Sequence, residues 1–64
     1  MKRDEIETIH ESYINGQFRQ MANQVDEYGL YDFWSDFKDY LHDTGCSAED
    51  FINMTIVYFR IKDL

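Results

Sequence analysis

Gly29-Leu30-Tyr31-Asp32-Phe33-Trp34-Ser35-Asp36-Phe37-Lys38-Asp39-Tyr40-Leu41-His42-Asp43 is the stretch that decides the fold. At about 100° per residue, Leu30, Phe33, Trp34, Phe37 and Leu41 fall at i, i+3, i+4, i+7 and i+11, on one side of a helix. Asp32, Asp36, Asp39 and Asp43 keep the same rhythm and fall almost directly opposite. Such a helix turns an aromatic anchor towards a core and a row of carboxylates outward. Glycines bound it, Gly29 before and Gly45 after, so the spacing predicts a helix over residues 30–42.

Towards the N-terminus, Phe18, Met21, Ala22, Val25 and Tyr28 recur at i, i+3, i+4, i+7 and i+10 and predict a helix over 17–28. Gly29 would end it in a Schellman stop with Leu30 folded back on the last turn. Before that, Ile6, Ile9 and Tyr13, flanked by His10 and Ile14, mark a helix over 4–15. Its first turn carries Asp4, Glu5 and Glu7, where carboxylates suit the positive end of the macrodipole. Asn15-Gly16 closes it.

Towards the C-terminus, Ser47-Ala48-Glu49-Asp50 resembles a capping box with Asp in the place of Glu and opens a helix over 47–62. Phe51, Met54, Tyr58 and Ile61 form one stripe; Ile52, Ile56 and Phe59 form another. Apolar nearly all round, this helix is expected to be the central, most buried one. A strand over 52–60 is the rival reading, because Thr55-Ile56-Val57-Tyr58-Phe59 is rich in β-formers. Alternation there is poor, and no second strand exists to pair with it. The reading is an all-α bundle of four short helices in one domain, residues 1–64.

A chain of 64 residues buries only about 60% of its unfolded surface. Small scaffolds compensate with disulfides, a metal, oligomerisation or dense packing. One cysteine, Cys46, excludes an internal disulfide. Five Phe, five Tyr and one Trp allow dense packing and exceed what so small a core needs, which points to a partner surface or a homodimer. Six basic and thirteen acidic residues give a net charge of -7. That argues against direct nucleic-acid binding and against anionic membranes, and favours a protein partner with a basic surface. The plainer consequence of the charge is solubility. No apolar run approaches the roughly 18 residues of a membrane span, and no apolar segment follows Lys2-Arg3 as in a signal peptide. The lone cysteine suits a reducing cytoplasm.

His42, Asp43 and Cys46 are the one cluster with metal-ligand chemistry, and His10 could join from another helix as the fourth donor that a closed zinc site needs. The plainer reading gives His42 to the helix dipole and Cys46 to the cap. No metal or cofactor is expected. Catalysis lacks its parts: there is no glycine-rich phosphate loop, and the aspartates lie on a convex face rather than in a sheltered pocket. A small metal-dependent or catalytic protein is therefore the third-ranked reading.

The aspartate row spans about 16 Å, in steps of about 6 and 4.5 Å, close to the spacing of phosphates along a strand. Lys38 is the only lysine or arginine between Arg19 and Arg60. A solvated helix face would mix Glu with Lys, so the row reads either as solvated surface or as a DNA-like one. Tyr31 and Tyr40 flank the apolar stripe, as core edge or as interface anchors.

Tyr13-Ile14-Asn15-Gly16-Gln17-Phe18-Arg19-Gln20-Met21-Ala22 resembles the glycine turn between the two helices of a tetratricopeptide repeat, with Met21 where that turn has a small residue. The pattern does not recur, so no repeat array is implied. With Tyr-Ile-Asn-Gly-Gln and Tyr-Gly-Leu-Tyr-Asp-Phe-Trp, the chain also resembles the small acidic accessory proteins of tailed bacteriophages. That resemblance implies a modulator or inhibitor of a host protein, acting in the host cytoplasm. The expected function is non-enzymatic protein interaction through Asp32, Asp36, Asp39, Asp43, Tyr31 and Tyr40. The alternative is a DNA mimic occupying the basic groove of a nucleic-acid-binding enzyme.

Overall fold

Apolar periodicity becomes helix in each of the four places it occurs. The computed structural model describes residues 2–63, apart from the side chain of Lys2, and contains α1 (Lys2–Ile14), α2 (Phe18–Tyr28), α3 (Leu30–Thr44) and α4 (Glu49–Lys62). Residues 52–60 are helical, and no strand forms among the described residues. Thr55, β-branched and so a weak helix former, donates its Oγ1 proton to the Phe51 carbonyl at 2.8 Å, which gives its hydroxyl a partner inside the helix. No helix among the described residues is long and apolar enough to cross a membrane.

The three connections differ in kind. Behind α3, Gly45 is left-handed (φ 71°); its N–H bonds the His42 carbonyl at 3.3 Å and that of Cys46 bonds Leu41 at 3.0 Å, a Schellman motif. The same pair of bonds closes α1, from Gly16 to Tyr13 at 3.0 Å and from Gln17 to Ser12 at 2.9 Å. Gly29 departs from the expected Schellman stop. It is the only residue between α2 and α3: its N–H closes the last turn of α2 on Val25 at 3.0 Å, and its carbonyl opens α3 to Phe33 at 2.7 Å. With φ 108° and ψ 116° it turns the chain in one step, a conformation closed to residues with a Cβ. Leu30 is consequently helical rather than folded back.

The core is drawn from all four helices: Ile6 and Ile9 of α1, Met21, Ala22 and Val25 of α2, Phe33, Phe37 and Leu41 of α3, Met54 and Tyr58 of α4. The centre of the bundle is formed by α2 and α3, each of which packs on all three other helices and whose Met21, Ala22, Val25, Phe33 and Phe37 are fully buried. The expectation that α4 would be central is corrected. Its Met54–Tyr58 stripe faces inward, while Ile52, Ile56 and Phe59 are 56%, 50% and 37% exposed. A chain this short has no further layer to cover the second face.

Polar bonds between helices hold the bundle in register. Ser12 of α1 donates to Gln24 of α2 at 2.8 Å, and His10 Nε2 of α1 meets Asp50 Oδ2 of α4 at 2.8 Å. Tyr58 and Lys62, one turn apart on α4, both donate to the carboxylate of Asp26 on α2. Asp50 therefore does not reach back as the acid of a capping box. Ala48 stands at the N-cap of α4 and offers no side-chain cap; just ahead of it, Ser47 Oγ accepts from the Glu49 N–H at 3.1 Å.

Candidate protein-interaction surface

α3 owes its position to its aromatic stripe. Phe33 and Phe37 stack at 5.2 Å between ring centroids; Phe37 also stacks on Phe51 of α4 at 6.3 Å and meets the edge of His10 of α1 at 5.3 Å. Trp34, half-buried, sits edge-on to Phe51 and Tyr58. With that face fixed inward, the aspartates are held away from the core.

They are not equivalent. Asp32, Asp39 and Asp43 are exposed, and no lysine, arginine or histidine among the described residues pairs with any of the four. Asp36 is half-buried, and its Oδ2 accepts the phenol proton of Tyr28 on α2 at 2.5 Å. The row thus runs along the boundary of α3 rather than directly opposite its core face, with Asp36 dipping into the α2–α3 junction. Burial, then the Asp36 hydrogen bond, pushes the Tyr28 phenol up to about 12. A phenol so placed keeps its proton and remains a donor.

Asp36, Asp39, Asp43 and Tyr40 line one wall of a groove of about 220 Å³, with Arg3 and Ile6 of α1 on the other. Arg3 is the contributor that the α3 pattern could not reveal. Its guanidinium lies 5.6 Å from the centroid of the Tyr40 ring, a cation–π contact, so one positive group borders the acid row from a neighbouring helix. Tyr40 is half-buried: it stacks on Phe37 at 6.1 Å and meets His10 edge-on at 6.0 Å. Burial, with the negative field of Glu7 second, raises its phenol above the ordinary range.

Tyr31 stands apart. Nine residues on a helix turn through about 900°, which leaves Tyr31 and Tyr40 half a turn out of phase. The Tyr31 ring is 85% exposed. The structure therefore brings Asp36, Asp39, Asp43 and Tyr40 into one groove wall, leaves Asp32 outside that lining beside Gly29, and leaves Tyr31 on another side of the helix.

Among the described residues no three His, Cys, Asp or Glu side chains stand together as metal ligands. His42 and Cys46 are exposed; Thr44 Oγ1 lies 3.2 Å from Cys46 Sγ, and His10 is turned to Asp50 instead of joining them. A second feature was invisible to local periodicity. Asp26, in a polar run of α2, is held by Lys62 and Tyr58, which lower its pKa, while burial and the same carboxylate push the Tyr58 phenol up to about 12. Its signal was the four-residue spacing of Tyr58 and Lys62, which puts two donors on one face of α4. No family model matches the chain, and no curated protein and no solved structure matches it.

Proposed function

We propose that the chain is a non-enzymatic interaction module that docks on the basic surface of a protein partner through the acid row of α3. The observation that carries this reading is the division of labour among the acids. Asp26 and Asp50 hold helices together, while Asp32, Asp39 and Asp43 are exposed and make no ion pair among the described residues. Within α3, like charges at i, i+3 and i+4 cost about 0.2–0.5 kcal/mol per pair. Arg3, held over the Tyr40 ring, borders the row but makes no ion pair with its carboxylates among the described residues; a partner's lysines and arginines would relieve the repulsion. Asp43, in the last turn, also opposes the helix dipole.

A DNA mimic is the narrower form of the same reading, supported by the regular rise of the row in steps of about 6 and 4.5 Å. A bacteriophage protein that modulates or inhibits a host protein in the cytoplasm would use such a surface in either form. The test is capture from a bacterial lysate on immobilised protein, comparing the wild type with Asp32, Asp36, Asp39 and Asp43 all changed to Asn. Far-UV circular dichroism establishes that the variant is folded. The reading expects the Asn variant to lose the captured protein and salt to weaken capture steeply. Capture that survives the four changes but fails with Tyr31→Ala or Tyr40→Ala would assign docking to the aromatic surface and overturn the acid-row reading.

A further inference from the structure

The outer face of α4 carries a second, independent surface. Ile52, Ile56 and Phe59 leave it 56%, 50% and 37% exposed. Taking Ile56 as the centre, Ile52 and Phe59 lie about 40° and 60° to one side, and Glu49, Arg60 and Asn53 about 20°, 40° and 60° to the other. Of the charges on α4, Asp50 is taken by His10 and Lys62 by Asp26. Glu49, at the first residue of the helix, and Arg60, in its last turn, have no ion-pair partner among the described residues, and both are exposed. The strip is thus apolar in the middle, negative at one end and positive at the other.

A surface with that layout is complementary to itself turned end for end. We propose that α4 packs antiparallel on α4 of a second copy about a twofold axis near Ile56. Ile56 then meets its own counterpart, and Ile52 of each protomer faces Phe59 of its partner. Glu49 of one protomer comes within about 4.5 Å, along the helix axis, of the level of Arg60 in the other, a gap those side chains span. The antiparallel arrangement also sets each helix N-terminus beside its partner's C-terminus, so the dipoles add to the attraction. A parallel pair would place Glu49 on Glu49 and Arg60 on Arg60. Three half-exposed apolar side chains bury far less than the roughly 800 Å² per partner of a tight complex, and each copy carries a charge of -7, so the dimer is a weak one, with Kd on the order of 100 µM. It leaves α3 free and does not depend on what α3 binds.

The experiment is sedimentation equilibrium across a concentration series to about 1 mM, at about 0.15 M salt, where the Debye length of about 8 Å screens the net charge more than a close pair. The wild type is expected to rise from 7.8 kDa towards twice that mass. Ile56→Lys is expected to stay monomeric while far-UV circular dichroism shows it folded. Glu49→Arg alone and Arg60→Glu alone should each raise Kd about tenfold, equivalent to about 1.4 kcal/mol, and the double exchange should restore it. A wild type that stays at 7.8 kDa throughout overturns the proposal. So does a dimer indifferent to Ile56→Lys, or a double exchange no better than the single ones. The charge-exchange arm tests the pairing whether or not Ile56→Lys folds.

Discussion

Truncating Phe37 to alanine removes the side chain on which three helices converge. The residue is 0% exposed, and its ring meets Phe33, Tyr40, Phe51 and His10 at centroid distances between 5.2 and 6.3 Å. Replacing a buried Phe by Ala costs about 3–5 kcal/mol, from lost transfer energy and the cavity left behind. At about 0.05–0.15 kcal/mol per residue, a 64-residue domain has about 3–10 kcal/mol in all. Phe37→Ala is therefore expected to remove a third or more of the stability and, at the lower end, to unfold the chain. Phe37→Leu refills most of the volume but loses the ring stacking, and should cost about 1–1.5 kcal/mol. The matched control is Ile56→Ala, on a side chain that is 50% exposed, where the cost should stay within about 0.5 kcal/mol. Urea denaturation followed by Trp34 fluorescence suits the comparison, because the Trp34 ring lies 4.9 Å from that of Phe33 and reports core packing. An Ile56→Ala cost equal to that of Phe37→Ala would refute the placement of α4, and a Phe37→Ala cost below about 1 kcal/mol would refute the core.

Gly29→Ala should cost about 1–3 kcal/mol, and more than Gly45→Ala, because φ 108° with ψ 116° lies outside the left-handed well that Gly45 occupies; equal midpoint shifts in urea would contradict the single-residue joint. In acid, the Asp26 carboxylate is held below its ordinary range by Lys62 and Tyr58, so its contribution is present above about pH 4 and lost as pH falls through the folded value. Asp26→Asn should accordingly flatten the fall of Tm between about pH 5 and 2; an unchanged profile would remove Asp26 from the account. In alkali, Tyr28 and Tyr58 have phenols raised to about 12, so the stability they supply is complete below the unfolded value near 10 and is lost as pH rises towards 12. Ultraviolet titration should show the Tyr28 and Tyr58 phenols ionising only as pH nears 12, together with loss of helix; their ionising near pH 10 with the helices intact would contradict it.

What the chain showed before folding, and what it hid, divides along the range of the interactions. Local signals carried the four helices, because glycine turns and a stripe such as Leu30–Leu41 depend only on near neighbours. α4 defeated the same reasoning. Both its stripes satisfy a helical period, and nothing local says that the remaining three helices can cover only one. Asn53, Glu49 and Arg60 beside the Ile56 stripe were the available hint. Asp50 read as the acid of a capping box, yet its partner is His10, forty residues away in sequence. Asp36 looked equivalent to Asp32 on the helical wheel; Tyr28 distinguishes them, and it reaches Asp36 only because a single glycine joins α2 to α3. Tyr31 and Tyr40 were read together as rim residues, although their spacing already placed them half a turn apart.

The surface that α3 offers is best tested by amide chemical-shift mapping of isotope-labelled protein titrated with the protein it captures. The account predicts shifts at Asp32, Asp39, Asp43 and the neighbouring turn of α1 around Arg3, shrinking as salt rises, with Ile52, Ile56 and Phe59 unmoved. Shifts confined to α4, or to Tyr31 with the acid row silent, would contradict it.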